Sequence, residues 1–426
     1  MSEASGGPAR GGDRDRSALW RPYTQMKTAP APLEVARTEG CRIHLADGRS
    51  LVDGIASWWT ACHGYNHPHI RRRVAEQLER MPHVMFGGLT HAPAEELAAR
   101  LVDLLPAPLE RVFFTESGSV SVEVALKMSA QCWMNRGQPR KRRFVSFRGA
   151  YHGDTFATMA LCDPEEGMHH RFGGMMPEPL VAELPTTPER EEAFRALLDA
   201  RGGDIAGVIV EPLVQAAGGF LMHAPEVLRF LRRTCDEHGV HLVFDEIAVG
   251  FGRVGAMFAC QVADVVPDVI TLSKALTGGT APLAATVATR DVFESFLSDD
   301  PADALMHGPT YMAHALGCAA ALGSVELFDR EPRLEQARSL EGRLAERLAP
   351  LAAHPRVVDV RCLGGIGVVE VDRIADLEGL RRRFVDLGCW IRPLGRCIYL
   401  MPALLIEDEE LDLLARGIET VLPELP

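Results

Sequence analysis

Leu242-Val243-Phe244-Asp245-Glu246 and, further on, Pro267-Asp268-Val269-Ile270-Thr271-Leu272-Ser273-Lys274-Ala275-Leu276 decide how this chain folds. Each is a short apolar run that closes on ionisable residues. Such runs read as strands covered on both faces, and groups at their carboxyl ends stand where open α/β sheets bind ligands. Period-two geometry puts Asp245 and Ile247 on one side, so a carboxylate and an apolar wedge face the same ligand. A lysine that ends an apolar strand among small residues gives up its proton readily and becomes a nucleophile toward a carbonyl. Taken singly, Lys274 also fits a snorkelling side chain, and the acidic pair fits a loop or a metal ligand.

Outward from these runs the same texture recurs at 111–114, 143–146 and 206–210, with helical periodicity between, at 120–134 and 225–237. Strands alternating with helices predict an α/β fold with a mostly parallel central sheet. Past residue 330 a charged helix over 333–348 leads into short strands at 357–361 and 367–371, then a helix near 376–387. This predicts a large domain over 70–330 and a smaller α/β domain made from 17–69 and 331–426, with a strand near 41–45. Residues 1–16, small and charged, read as a disordered tail without the apolar segment of a secretory signal.

Bulk properties narrow the function. The 58 acidic residues outnumber the 45 basic ones for a net charge of -13, which disfavours nucleic acid or an anionic membrane as the main partner. No run of about 18 apolar residues predicts a membrane span. Ten scattered cysteines without a C-x-x-C pair suit free buried thiols rather than disulfides or zinc. The expected metal content is none and the expected location cytoplasmic.

Two further segments complete a constellation. Thr115-Glu116-Ser117-Gly118-Ser119 lies between a strand and a helix whose buried face carries Val120, Val124 and Met128. Free N–H groups at the positive end of a helix dipole bind phosphate, although plain serine capping explains the turn as well. Tyr151-His152-Gly153 follows a strand and a Gly-Ala turn, where an aromatic makes a wall for a ring. Together these are what pyridoxal phosphate (PLP) needs: a helix N-terminus for the phosphate, a carboxylate for the pyridine nitrogen and a lysine for the aldehyde. Lys274 then serves as covalent anchor and, once displaced, as the acid–base that carries a proton between substrate Cα and cofactor C4′.

At this point the sequence resembles the class III (ω-type) aminotransferases, PLP enzymes of fold type I. The stretch from Leu242 to Arg253, with Ser273-Lys274-Ala275-Leu276-Thr277-Gly278-Gly279, carries the likeness, which runs from about Trp20 to Pro402. More specific are Trp20-Arg21-Pro22-Tyr23-Thr24-Gln25-Met26, Asp53-Gly54-Ile55-Ala56-Ser57-Trp58-Trp59 and His63-Gly64-Tyr65-Asn66-His67-Pro68. To these are added His307-Gly308-Pro309-Thr310-Tyr311-Met312 and Trp390-Ile391-Arg392-Pro393-Leu394-Gly395. They resemble the members that aminate 8-amino-7-oxononanoate with S-adenosylmethionine in biotin synthesis.

The resemblance implies a homodimer with shared active sites. Gly118 and Ser119 would hold the cofactor phosphate, joined by Pro309 and Thr310 from the other subunit. Tyr151 and Ile247 would flank the ring, Asp245 would face its nitrogen and Lys274 would bond it. Tyr23, Trp58 and Tyr151 would line the substrate channel, with Tyr23 close to the chemistry and Gly308 nearby. Arg392 would pair with the acceptor's terminal carboxylate, and Arg253 would stand near the substrate. The turn departs slightly from the family in reading Glu116 before Ser117-Gly118. An ω-aminotransferase for ornithine, 4-aminobutyrate or diamines, an aminomutase, or the same acceptor with lysine as donor share much of this pattern. A nucleotide-binding α/β protein lacks its Gly-x-Gly-x-x-Gly or P-loop here.

Overall fold

A computed structural model describes residues 18–165, 169–172, 175 and 178–425. The tail expected over 1–16 lies outside the described residues. The centre is a seven-stranded sheet in the order Leu109–Thr115, Ala284–Thr289, Val269–Leu272, His241–Asp245, Ile205–Val210, Arg143–Phe147, Leu180–Ala182. Ala284–Thr289 alone runs against its neighbours; the pairings from Val269–Leu272 to Leu180–Ala182 are all parallel. The fold is thus the expected α/β arrangement. Ala284–Thr289 escapes sequence reading because alanine and threonine supply five of its six residues, so it lacks the long apolar run by which the other core strands stand out.

The three inner parallel strands, Ile205–Val210, His241–Asp245 and Val269–Leu272, are buried along their whole length. Hydrophobic burial on both faces is what allows a parallel sheet to exist. The helix Gly118–Asn135 packs on the sheet with Val122, Val124, Ala125 and Met128 buried. The helix Ala315–Arg330 lies close against Pro68–Arg80; a Cβ on Gly323 would stand 3.1 Å from Ile70 Cα.

The terminal segments build separate sheets. Val35–Glu39, Arg42–Leu45 and Ser50–Asp53 form an antiparallel meander, which Cys389–Trp390 joins in parallel, Cys389 opposite Val52 and Trp390 opposite Asp53. Val357–Leu363, Ile366–Val371 and Cys397–Leu400 make a three-stranded antiparallel sheet. The helix expected over 333–348 is present as Arg333–Leu348. All ten cysteines are free thiols, and all but Cys362 are buried.

One local feature bears on the site. Ala56, Ser57, Trp58 and Trp59 have φ of 46°, 48°, 54° and 73°, a full turn of left-handed backbone that costs about 1–2 kcal/mol per residue with a Cβ. Buried Asp53 holds it, accepting from Ile55 N (2.9 Å), Ser57 N (2.8 Å) and Tyr65 Oη (2.5 Å). Asp53→Ala strands the two backbone donors, Tyr65 Oη keeping Ser57 Oγ as a partner, and is expected to destabilise the protein by about 3 kcal/mol. The urea-unfolding midpoint checks this, and an unshifted midpoint would refute it.

Candidate active site

Five strand ends deliver the site. Thr115 leads to Ser117-Gly118, Phe147 to Tyr151-His152, Val210 to Glu211, and Leu272 to Ser273-Lys274, while Asp245 is itself the last residue of its strand. These residues, with Ser119, Gly153, Ile247 and Ala248, line one cavity at the carboxyl edge of the sheet.

The helix Gly118–Asn135 begins at this cavity with Ser117 as cap, its Oγ accepting from Val120 N at 3.3 Å. Gly118 and Ser119 occupy the first turn, where N–H groups have no acceptor within the helix. Both flanks are shaped closely. A Cβ on Gly118 would meet Ile247 Cδ1 at 3.0 Å, and one on Gly153 (φ 132°) would reach 2.3 Å from Ser119 Oγ. Ser119 Oγ accepts from Asp154 N at 3.0 Å, fixing the two loops together.

Asp245 is buried, with Oδ2 2.7 Å from His152 Nδ1 and Oδ1 accepting from Thr271 Oγ1 and Ile247 N, each at 3.2 Å. His152 is fully enclosed, and its Nε2 has no partner among the described residues. Lys274, φ 47°, opens a 3-10 turn directly after its strand. Its Nζ stands 4.1 Å from the centre of the Trp59 ring. Burial pushes this amine down to about 8, against the upward pull of Asp245 and Glu211. Desolvation disfavours the charged ammonium, so a neutral nucleophile exists near physiological pH.

Glu211 was not foreseen from the sequence. Buried beside this pair, it accepts from Tyr151 N (2.9 Å) and Ala216 N (3.0 Å), and burial raises it to about 7. The signal was there: Glu211 follows an apolar strand just as Asp245 closes one. Asp154 is the second unforeseen residue. Tyr23 Oη donates to its Oδ2 (2.6 Å), Tyr151 Oη donates to its Oδ1 (2.9 Å), and His169 Nε2 lies 3.0 Å from Oδ1. Burial and Asp154 raise Tyr23 to about 12, so both hydroxyls keep their protons. Nothing in the spacing around Asp154 announces this cluster, which joins segments 131 residues apart.

The other expected residues divide. Trp58 is half exposed on the left-handed turn. Trp59, its buried neighbour, packs edge-on against Phe220 and Tyr399 (6.0 and 6.3 Å between ring centres). Arg392 lies over Trp390, 5.4 Å from the ring centre. It makes no ion pair among the described residues, and burial, then Arg381, lower its pKa. Arg253 is not brought to the cavity lining. It is buried, donating from Nη1 to Pro402 O (2.7 Å) and Gly365 O (3.1 Å). Gly308, Pro309 and Thr310 lie on a loop that does not line this chain's own cavity. Among the described residues no group of three or more His, Cys, Asp or Glu is placed to hold a metal ion, and no helix is long and apolar enough to cross a membrane.

The pieces fit PLP: a first-turn helix cradle flanked closely by Ile247 at Gly118 and by Ser119 at Gly153, a buried carboxylate with a fixed partner, and a lysine with a lowered pKa. Comparison with known proteins agrees. The family model described as Aminotransferase class-III matches residues 23–422. Two relatives named adenosylmethionine-8-amino-7-oxononanoate aminotransferase are each 42% identical to this chain. That of Mycobacterium leprae aligns over 96% of this chain and 97% of its own, and that of Synechococcus elongatus over 96% and 99%. Among solved structures, the enzyme of that name from Methanocaldococcus jannaschii superposes with a TM-score of 0.91 at 29% identity, covering 96% of this chain and 97% of its own. An amine transaminase from an uncultivated Pseudomonas species in its PLP-bound form gives 0.89 at 28% identity, covering 97% and 100%.

Proposed function

The chain belongs to the class-III aminotransferases, and on that premise we propose that it moves an amino group from S-adenosylmethionine to 8-amino-7-oxononanoate, giving 7,8-diaminononanoate. One observation carries the choice of acceptor. Arg392 is a half-buried guanidinium with no ion pair among the described residues. A ligand with a terminal carboxylate is what such a cation accepts.

When bound, PLP supplies an aldehyde that takes up amines and a ring that accepts electron density from the substrate Cα. The protein's residues do the rest. Lys274 Nζ would hold the cofactor through its aldehyde and, when free, would act as the acid–base at the substrate Cα. Asp245 would present its carboxylate to the ring nitrogen, held in place by its 2.7 Å contact with His152 Nδ1. The first-turn N–H groups of Gly118 and Ser119 bind phosphate. Tyr151 and Ile247 flank the ring, while Tyr23, Trp58 and Asp154 receive the sulfonium donor with aromatic faces and a negative charge. Arg253 ties Gly365 to Pro402 through its two carbonyl bonds.

The reading includes a homodimer in which Pro309, Thr310 and Gly308 serve the cavity of the second copy. Exposed Trp20, Met306 and Tyr311, at 90%, 74% and 53%, are the apolar surface it would cover. It also includes a cytoplasmic location and a smaller domain made jointly by the terminal segments, which the pairing of Ser50–Asp53 with Cys389–Trp390 supports.

Half-reactions on the purified protein test the assignment. S-adenosylmethionine should bleach the visible band of the Lys274-bound cofactor, and 8-amino-7-oxononanoate should restore it. Bleaching by lysine instead would change the donor, and no recovery with the acceptor would remove the assignment. Arg392→Ala should raise KM for the acceptor about 30–150-fold, the worth of a charged bidentate contact of about 2–3 kcal/mol. KM for the donor should stay unchanged, and equal losses for both substrates would contradict the role of Arg392.

A further inference from the structure

Lys274 is a residue with a Cβ held at φ 47°, a backbone state that only surrounding contacts maintain. The turn it opens is anchored at the next carbonyl. Ala275 O accepts from Gly278 N at 2.9 Å, from Ser324 Oγ at 3.2 Å and from Cys62 Sγ at 3.7 Å. Behind Ser324 runs a buried chain: His63 Nε2 lies 3.1 Å from Ser324 Oγ, and Arg333 Nε donates to His63 Nδ1 at 3.2 Å. Arg333 in turn donates from Nη1 to Gln336 Oε1 at 2.6 Å and is paired with Glu331. His63, Ser324 and Arg333 are 2%, 0% and 3% exposed, so no water competes for these bonds.

The protons in this chain can run in one sense only. A guanidinium donates and never accepts, so His63 Nδ1 carries no proton. Its Nε2–H then donates to Ser324 Oγ, which leaves the serine hydroxyl to donate to Ala275 O. Burial, and then the Arg333 charge, hold His63 well below its usual range, so the ring stays neutral and the sense does not reverse. The packing is equally committed: a Cβ on Gly278 would meet Ile70 Cδ1 at 2.8 Å and His63 Cδ2 at 3.4 Å.

We propose that the chain Arg333–His63–Ser324 is a positioning device for the cofactor lysine: by gripping the Ala275 carbonyl it holds Lys274 in its left-handed backbone state and so aims Nζ at the cofactor aldehyde. None of these three residues lines the cavity; they act through the turn. The bond in question forms when Nζ adds to the aldehyde carbon, water leaves, and C=N replaces C=O. If the grip is lost, the backbone relaxes toward negative φ and the amine swings off line, while the phosphate and ring contacts are untouched.

The inference rests on the cofactor, not on the choice of substrates, and binding to the apoprotein separates the two. Pyridoxal phosphate bonds Lys274, whereas pyridoxamine phosphate carries an amine in place of the aldehyde and cannot. Ser324→Ala and His63→Leu should each weaken pyridoxal phosphate binding about tenfold, the worth of one buried hydrogen bond. Pyridoxamine phosphate binding should stay within about twofold of the parent, since it tests the same pocket without the bond. The double variant should be no weaker than either single one, because both cut the same chain. Unchanged pyridoxal phosphate affinity in Ser324→Ala, or parallel losses for both cofactors, would overturn the proposal. A parent protein that binds pyridoxamine phosphate but never bonds the aldehyde would overturn the cofactor role of Lys274 as well.

Discussion

Lys274→Ala is expected to lower turnover by about four orders of magnitude while the protein still folds and still binds pyridoxamine phosphate. A positioned acid–base contributes about 10²–10⁴-fold, and loss of the covalent anchor removes a second contribution. The side chain replaced has no hydrogen-bond or ion-pair partner among the described residues; its amine faces the Trp59 ring and the cavity. Truncation therefore leaves no orphaned donor elsewhere. Visible absorbance should lose the band of the lysine-bound cofactor, and single-turnover rates with S-adenosylmethionine measure the loss. A variant within tenfold of the parent would end the mechanism.

The same residue fixes a pH dependence. With the amine lowered to about 8, the reactive neutral form is the minor species below that pH and the major one above it. Capture of the aldehyde by the apoprotein should rise with pH through about 8 and then level off. An ordinary lysine would go on rising toward about 10.4. The sign follows from the cause, since burial disfavours the proton-bearing form.

Asp245→Asn is expected to cost about a thousandfold in turnover. Opposite charges about 4 Å apart in surroundings of effective dielectric about 20 attract by about 4 kcal/mol, and that interaction serves only the state in which the ring nitrogen holds its proton. Converted at about 1.4 kcal/mol per tenfold, it gives the rate loss. The substitution has a second consequence. Asparagine presents an N–H₂ group to His152 Nδ1, which must then give up its own proton and move it to Nε2. That atom is enclosed and has no partner among the described residues, so stability should also fall by about 1–3 kcal/mol. Steady-state rates and unfolding midpoints read the two effects separately. Full activity with asparagine at 245 would mean that the charge is not needed.

How much of this was legible beforehand follows from what each residue's neighbours disclose. Strand ends announce themselves: an apolar run that stops at Asp245 or Lys274 states both burial and position, and the parallel sheet follows from strands alternating with helices. Ala284–Thr289 was missed because small residues packed between two strands carry no periodic signal. Asp154 was missed for a different reason. Its importance lies in Tyr23 and Tyr151 arriving from distant segments, and a single chain read in order records no such meeting. Arg253 shows the converse, since a basic residue close in sequence to Asp245 is turned by the fold into the interior, where two backbone carbonyls hold it. The loop with Pro309 and Thr310 does not line this chain's own cavity, so its role belongs to the proposed assembly.

The left-handed turn at Ala56–Trp59 has a consequence for which sequences can occupy this site at all. Positive φ is comfortable for glycine, tolerable for asparagine and aspartate, and worst for valine, isoleucine and threonine. The backbone therefore filters position 58 before any substrate does, and the two filters disagree: the main chain favours the smallest residue, and the channel wall proposed at Trp58 wants a ring. Variation there is constrained from two sides, and a tolerance profile read from activity alone would credit both to the substrate. A saturation library at 58, sorted first for folded protein and then for turnover, would separate them, with β-branched residues lost at the first sort and glycine only at the second.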